Sequence, residues 1–95
     1  MKRMIHRFPT AFFDDDGGVY DIQIMGEPIG HMWHGWIEYA SRDGFVMKTD
    51  RETSQPSLED LVYWAEGLEP LYFEGAFARA QRHSLPHEAP GRGPG

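Results

Sequence analysis

The chain has 95 residues, no cysteine and a formal net charge of −6. This length predicts one domain, and the lack of cysteine excludes disulfides and cysteine zinc sites while favouring a cytoplasmic location. Residues 14–78 hold fourteen carboxylates but only three basic residues, so direct nucleic-acid binding is not expected. Apolar runs are only a few residues long, and membrane insertion is therefore not expected either.

Three segments follow from the pattern along the chain. Residues 1–13 alternate basic and apolar side chains, which predicts either a basic arm or an edge strand. Residues 14–82 are predicted to form a single α+β domain. Residues 83–95 are rich in proline and glycine and are predicted to be a disordered tail.

The domain begins with a turn at 14–18, where three aspartates precede two glycines. Period-two alternation then predicts strands over residues 19–25, 32–40 and 45–49, with a break at 26–30 and a hairpin turn at 41–44. Short links favour a three-stranded antiparallel meander. One face carries larger apolar residues and is expected under the helices: Tyr20, Ile22, Ile24, Trp33, Ile37 and Tyr39.

After the strands the apolar spacing becomes helical. Ser57 is a good N-cap, and Leu58, Leu61 and Ala65 recur at helical intervals before Gly67. A second helix is predicted to open at Pro70, although residues 71–73 are also compatible with a short strand. The predicted order is therefore βββαα, with one or two helices.

The candidate metal and catalytic patterns are weak. A calcium loop counted from Asp14 places Val19 where glycine is needed and Met25 where glutamate is needed, which rules it out. His31 and His34 point to opposite faces of a strand. We therefore predict no metal site, no cofactor and no catalytic residues.

The aromatic content is more informative. The outer sheet face is predicted to expose Met25, Met32 and Trp36 among polar residues, and methionine and aromatic side chains are enriched at interfaces. Tyr63 and Trp64 are neighbours on a helix, so they cannot both point inward. These five residues are the predicted partner-binding residues. The alternative is that the N-terminal segment or the second helix covers the outer face.

Several stretches resemble short bacterial proteins of unassigned function: 36–39, 49–56, 63–65 and 71–76. The similarity covers about residues 19–80. It implies a bacterial origin and a βββαα unit, and it implies no activity.

These observations predict a non-catalytic interaction module or accessory subunit of a larger bacterial complex, which docks on a protein partner or on itself. One alternative is an acidic regulator that mimics nucleic acid to occupy a basic site. Another is a small enzyme or ligand-binding protein that uses His34, Glu38 and Arg51.

Overall fold

A computed structural model describes residues 1–84, which form seven strands and two helices. The strands are β1 (Arg3–Arg7), β2 (Phe12–Phe13), β3 (Val19–Ile29), β4 (Met32–Ser41), β5 (Phe45–Lys48), β6 (Thr53–Gln55) and β7 (Gln81–Ser84). The helices are α1 (Leu58–Glu66) and α2 (Pro70–Arg79). The α+β class, the antiparallel sheet and the presence of two helices are confirmed.

The sheet is larger than the predicted three-stranded meander. Its order is β1-β3-β4-β5-β7, with β2 also pairing with β3 and β6 with β4, and every pair is antiparallel. The prediction that the sheet has only three strands was therefore wrong. The missed strands are short, and they join the sheet through backbone hydrogen bonds, which leave little trace in the side-chain pattern.

Strand β3 continues through the predicted break at 26–30 as far as Ile29. The pairing with β1 ends at Gly26, so beyond this point β3 is bonded only to β4. An edge of this kind tolerates Pro28, which lacks a backbone N–H.

Both ends of the chain add edge strands. The N-terminal segment pairs with β3 as β1 and β2, and its Lys2 side chain reaches Glu38 on the outer face. Residues 83 and 84 of the predicted tail belong to β7, which pairs with β5. Residues 85–95, the rest of that predicted tail, lie outside the described residues.

One face of the sheet packs against both helices. Tyr20, Ile22, Ile24, Ile37 and Tyr39 are buried there together with Ala65, Phe73 and Ala76 from the helices, as the alternation predicted. Phe8, Phe12 and Phe77 pack around this cluster. The Tyr39 hydroxyl donates a 2.6 Å hydrogen bond to the Phe73 carbonyl, which ties α2 to the centre of the sheet.

Helix α1 begins where the sequence predicts. The Ser57 hydroxyl accepts a hydrogen bond from the Asp60 N–H, and Glu59 and Asp60 complement the helix dipole in the first turn. Gly67 ends the helix with a right-handed φ of −88°, so this position does not require glycine for its backbone. Pro70 occupies the first turn of α2.

Helix α1 approaches the sheet most closely at two glycines. Gly26 and Gly35 face each other on β3 and β4, and the buried Leu61 side chain lies over the pair. A Cβ atom at either position would lie 2.6 Å from a Leu61 methyl carbon. The pair of glycines therefore sets the distance between α1 and the sheet.

We predict that Gly35→Ala lowers the free energy of unfolding by about 1–3 kcal/mol, because the added methyl group overpacks the Leu61 contact. Urea denaturation of the variant measures the loss. In a Leu61→Ala background the same change should cost less, since the clashing methyl groups are gone. Gly67→Ala is the matched control, because its Cβ would lie 3.7 Å from the nearest atom. An equal loss at both glycines would contradict the prediction.

Candidate functional site

The outer sheet face buries two of the predicted docking residues. Trp36 is 7% exposed and Met25 is 8% exposed, although both helices pack against the opposite face. The two side chains are cross-strand neighbours in the register of β3 and β4. The expectation that they are exposed was therefore wrong.

Charged side chains surround Trp36 on this face. The Trp36 indole N–H donates to Glu38 Oε2 at 2.9 Å, and the Lys2 ammonium donates to the same oxygen at 3.1 Å. The Lys48 ammonium lies 5.2 Å from the centre of the Trp36 ring. Long aliphatic stems cover apolar surface while their charged ends stay in water. Trp36 is thus protected without a partner.

The other predicted docking residues differ in exposure. Met32 is 37% exposed near the tip of the β3–β4 hairpin, and Tyr63 is 81% exposed on α1. Trp64 is half-buried and packs edge-on against Tyr72, with ring centroids 6.3 Å apart. Since Met32 lies on the outer face and Tyr63 on the helix layer, the five residues do not form one surface.

The residues of the alternative ligand site come together only in part. His34 and Arg51 line a shallow depression of about 260 Å³ beside Trp36, with Lys48 and Asp50. Glu38 does not line it, because its carboxylate is bound to Lys2 and Trp36. Within residues 1–84, no three histidine or carboxylate side chains lie in position to hold a metal ion. Neither described helix has the length and apolar character needed to cross a bilayer.

A longer groove runs along the helix side of the molecule, and we call it the aromatic groove. Its middle part, of about 350 Å³, lies between residues 8–13 and the start of α2 and is lined mostly by apolar side chains. Phe8, Phe12 and Phe73 contribute the aromatic surface. Phe13 also lines this part and is 67% exposed.

The groove extends in both directions through shared walls. Leu68 connects the middle part to a depression of about 420 Å³ that is also lined by Tyr63, Trp64 and Glu66. Phe12, Phe13 and Glu74 connect it to a depression of about 410 Å³ beside the 14–16 turn, whose far wall includes Phe77. The predicted residues Tyr63 and Trp64 therefore stand at one end of the groove.

The charged residues that line the groove, within the described part of the chain, are all acidic. Its walls carry Glu66, Glu74, Asp14, Asp15 and Asp16. Among the residues that the structure describes, none of those lining the groove is basic. No ion pair within residues 1–84 involves these five carboxylates. An apolar floor is thus combined with a net negative rim.

The acidic end of the groove is held in shape by Asp14. Its carboxylate accepts hydrogen bonds from the backbone N–H groups of Gly18 at 2.7 Å and Asp16 at 2.9 Å, and from the Tyr20 hydroxyl at 3.1 Å. The hydrogen bond from Gly18 is the main reason that the pKa of Asp14 lies below its usual value. Asp14 is therefore a structural residue, whereas Asp15 and Asp16 are exposed.

Helix α2 forms the other wall of the groove, and Glu52 holds it through hydrogen bonds from two of its side chains. This carboxylate accepts 2.5 Å hydrogen bonds from the Tyr72 hydroxyl and from the Arg79 guanidinium. Burial, followed by the hydrogen bond to Glu52, raises the pKa of Tyr72 to about 12. Arg79, the only basic residue of the two helices, is thus occupied on the far side of α2 from the groove floor.

Sequence reasoning missed Phe13 and the groove. Phe13 was assigned to a basic arm, and the approach of residues 8–16 to α2 depends on the pairing of β2 with β3. The adjacent Phe12-Phe13-Asp14 triplet was the available signal. Comparison with protein-family models, curated proteins and solved structures gives no match for this chain.

We predict that Trp36→Phe lowers the free energy of unfolding by about 1–3 kcal/mol, because it removes the N–H donor to the buried Glu38 carboxylate. Urea denaturation measures the loss. Trp33→Phe is the matched control on the same strand, since the Trp33 indole makes no side-chain hydrogen bond within residues 1–84. Equal losses for the two variants would show that the hydrogen bond to Glu38 is not the cause.

We predict that Asp14→Ala destabilises the fold at neutral pH and that the difference from wild type narrows in acid. A carboxylate whose folded pKa is depressed stabilises the fold above its unfolded pKa, about 3.9, and this contribution is lost as the pH falls through the folded value. Thermal denaturation of both proteins, from neutral pH to below the unfolded pKa of aspartate, measures the difference in stability between wild type and Asp14→Ala. Asp15→Ala is the control. A stability difference that stays constant with pH would contradict the conclusion that the ionised Asp14 carboxylate stabilises the fold.

Proposed function

We propose that this protein is a non-catalytic interaction module that docks a partner protein through the aromatic groove. The observation that carries the proposal is the combination of an exposed aromatic side chain, Phe13, with a mainly apolar depression between residues 8–13 and the start of α2. Exposed aromatic side chains next to preformed apolar depressions are the usual anchors of protein interfaces.

The groove supports docking better than the outer sheet face does. On the outer face, Trp36 and Glu38 already satisfy each other, and Lys48 covers the indole. In the groove, Phe13 and Tyr63 leave most of their surface in water. Burial of that surface by a partner releases free energy in proportion to its apolar area.

A non-catalytic role is supported by the arrangement of the titratable groups. Within the described residues, the groove walls present carboxylates without a histidine, lysine or arginine among the lining residues. The alternative set is divided, because Glu38 is sequestered away from the depression shared by His34 and Arg51. Acid–base catalysis requires such groups to lie within hydrogen-bond reach.

The test compares groove and outer-face variants in a native pull-down from nuclease-treated lysate of the source cells. Phe13→Ser removes the exposed anchor in the groove, and Met32→Ser is the matched control, since it removes an exposed apolar side chain from the outer face. We expect a stoichiometric partner with wild type and with Met32→Ser, and about tenfold or greater loss with Phe13→Ser. Mass spectrometry measures the stoichiometry.

Two results would contradict the proposal. One is recovery of wild-type chain alone as a monomer. The other is loss of the partner with Met32→Ser but not with Phe13→Ser, which would return the docking surface to the outer sheet face. Circular dichroism of each variant establishes that the fold is retained.

A further inference from the structure

We infer that the occupant of the aromatic groove is a basic amphipathic peptide segment of the partner protein, with apolar anchors on the phenylalanine floor and lysine or arginine residues facing the carboxylate rim. This inference rests on the proposed function and adds the chemistry of the partner. It follows from the distribution of apolar surface, the distribution of charge and the state of the chain's own basic residues.

The floor selects an apolar anchor. Phe12 is fixed by its contacts with Tyr39 and Phe77, with ring centroids 5.2 and 5.0 Å apart. Phe13, the next residue, lines the same part of the groove and remains exposed. A leucine or aromatic side chain of a ligand contacts both a rigid surface and an accessible ring in the middle part of the groove.

The rim selects positive charge. Glu74 borders both the middle part and the acidic end, and Asp15 and Asp16 add carboxylates only at that end. Glu66 borders the opposite end. The carboxylates therefore flank the apolar middle on both sides and are more numerous at the turn. An amphipathic segment with central apolar residues and flanking basic residues matches this order.

A second copy of the chain fits the groove less well. Of the eight lysines and arginines within residues 1–84, all but Arg3 and Arg51 already contact a carboxylate or an aromatic ring of their own chain: Lys2, Arg7, Arg42, Lys48, Arg79 and Arg82. The same rim opposes a nucleic-acid backbone by like-charge repulsion. A basic segment from another protein does not have to break such intrachain contacts, and its charge is opposite to that of the rim.

The probe is a fluorescein-labelled synthetic peptide of about twelve residues, roughly 18 Å long as a helix, with Leu and Phe at the centre of one face and Lys and Arg flanking them towards both ends. One analogue replaces Lys and Arg by Gln, and a second replaces Leu and Phe by Ser. Fluorescence anisotropy measures binding to the full-length chain. We expect the parent peptide to bind more tightly than either analogue, and more weakly as salt is added.

Protein variants locate the contact. We expect Glu74→Gln to weaken parent-peptide binding by about two- to fivefold, the range for an exposed ion pair. Glu59→Gln is the matched control on α1, because this exposed carboxylate does not line the groove, and it should leave binding unchanged. Phe13→Ser should weaken binding by about tenfold or more.

Equal binding of the parent peptide and the Gln analogue would overturn the charge assignment, and so would equal effects of Glu74→Gln and Glu59→Gln. Equal binding of the Ser analogue would overturn the apolar anchor. Self-association that Phe13→Ser abolishes would overturn the inference in favour of a second copy. If the cellular partner depends on Phe13 but the peptide does not bind, this inference fails and the proposed function stands. If Phe13→Ser affects neither, both fail.

Discussion

The contact of Leu61 with Gly26 and Gly35 is the constraint on which the helix layer depends. Without side chains at these two positions, α1 lies close to one end of the sheet. The short link after Gly67 then carries the chain to α2, whose Phe73 and Ala76 pack in the same buried cluster as Tyr39. Because the helices have nine and ten residues, each covers only part of strands β3 and β4. The residues at 8–16 lie beside α2, and the aromatic groove is the space between them.

Aromatic side chains on the two faces of the sheet are buried by different kinds of contact. On the inner face, Tyr20, Tyr39 and Phe77 pack against one another at centroid distances between 5.0 and 6.4 Å, in tilted or edge-on geometries that aromatic rings prefer. On the outer face, the Lys48 ammonium lies over the Trp36 ring, and the indole N–H donates to Glu38. The Tyr20 and Tyr39 hydroxyls and the Trp36 indole N–H each have a hydrogen-bond partner within the chain.

Charge is divided between the same two faces. On the outer face Asp21 lies between Arg7 and Arg42, and Glu38 is paired with Lys2, so carboxylates and cations neutralise each other. The groove walls have carboxylates alone within the described residues. Five of the fourteen carboxylates of residues 14–78 therefore lie beside exposed apolar surface. This proximity, rather than the net charge itself, is the basis of the proposed docking.

The sequence by itself determined the elements whose signals are local. Alternation along β3 and β4 identified the inner face, and Ser57 and Pro70 marked where the helices begin, because capping and alternation act within a few residues. Tertiary structure decided the rest. The pairing of β1, β2, β6 and β7 depends on backbone bonds between distant segments. The contact of Lys48 with the Trp36 ring requires β5 to pair with β4, and the groove requires residues 8–16 to meet α2. Such contacts join residues far apart in the chain, and a local pattern does not specify which distant segment a side chain will meet.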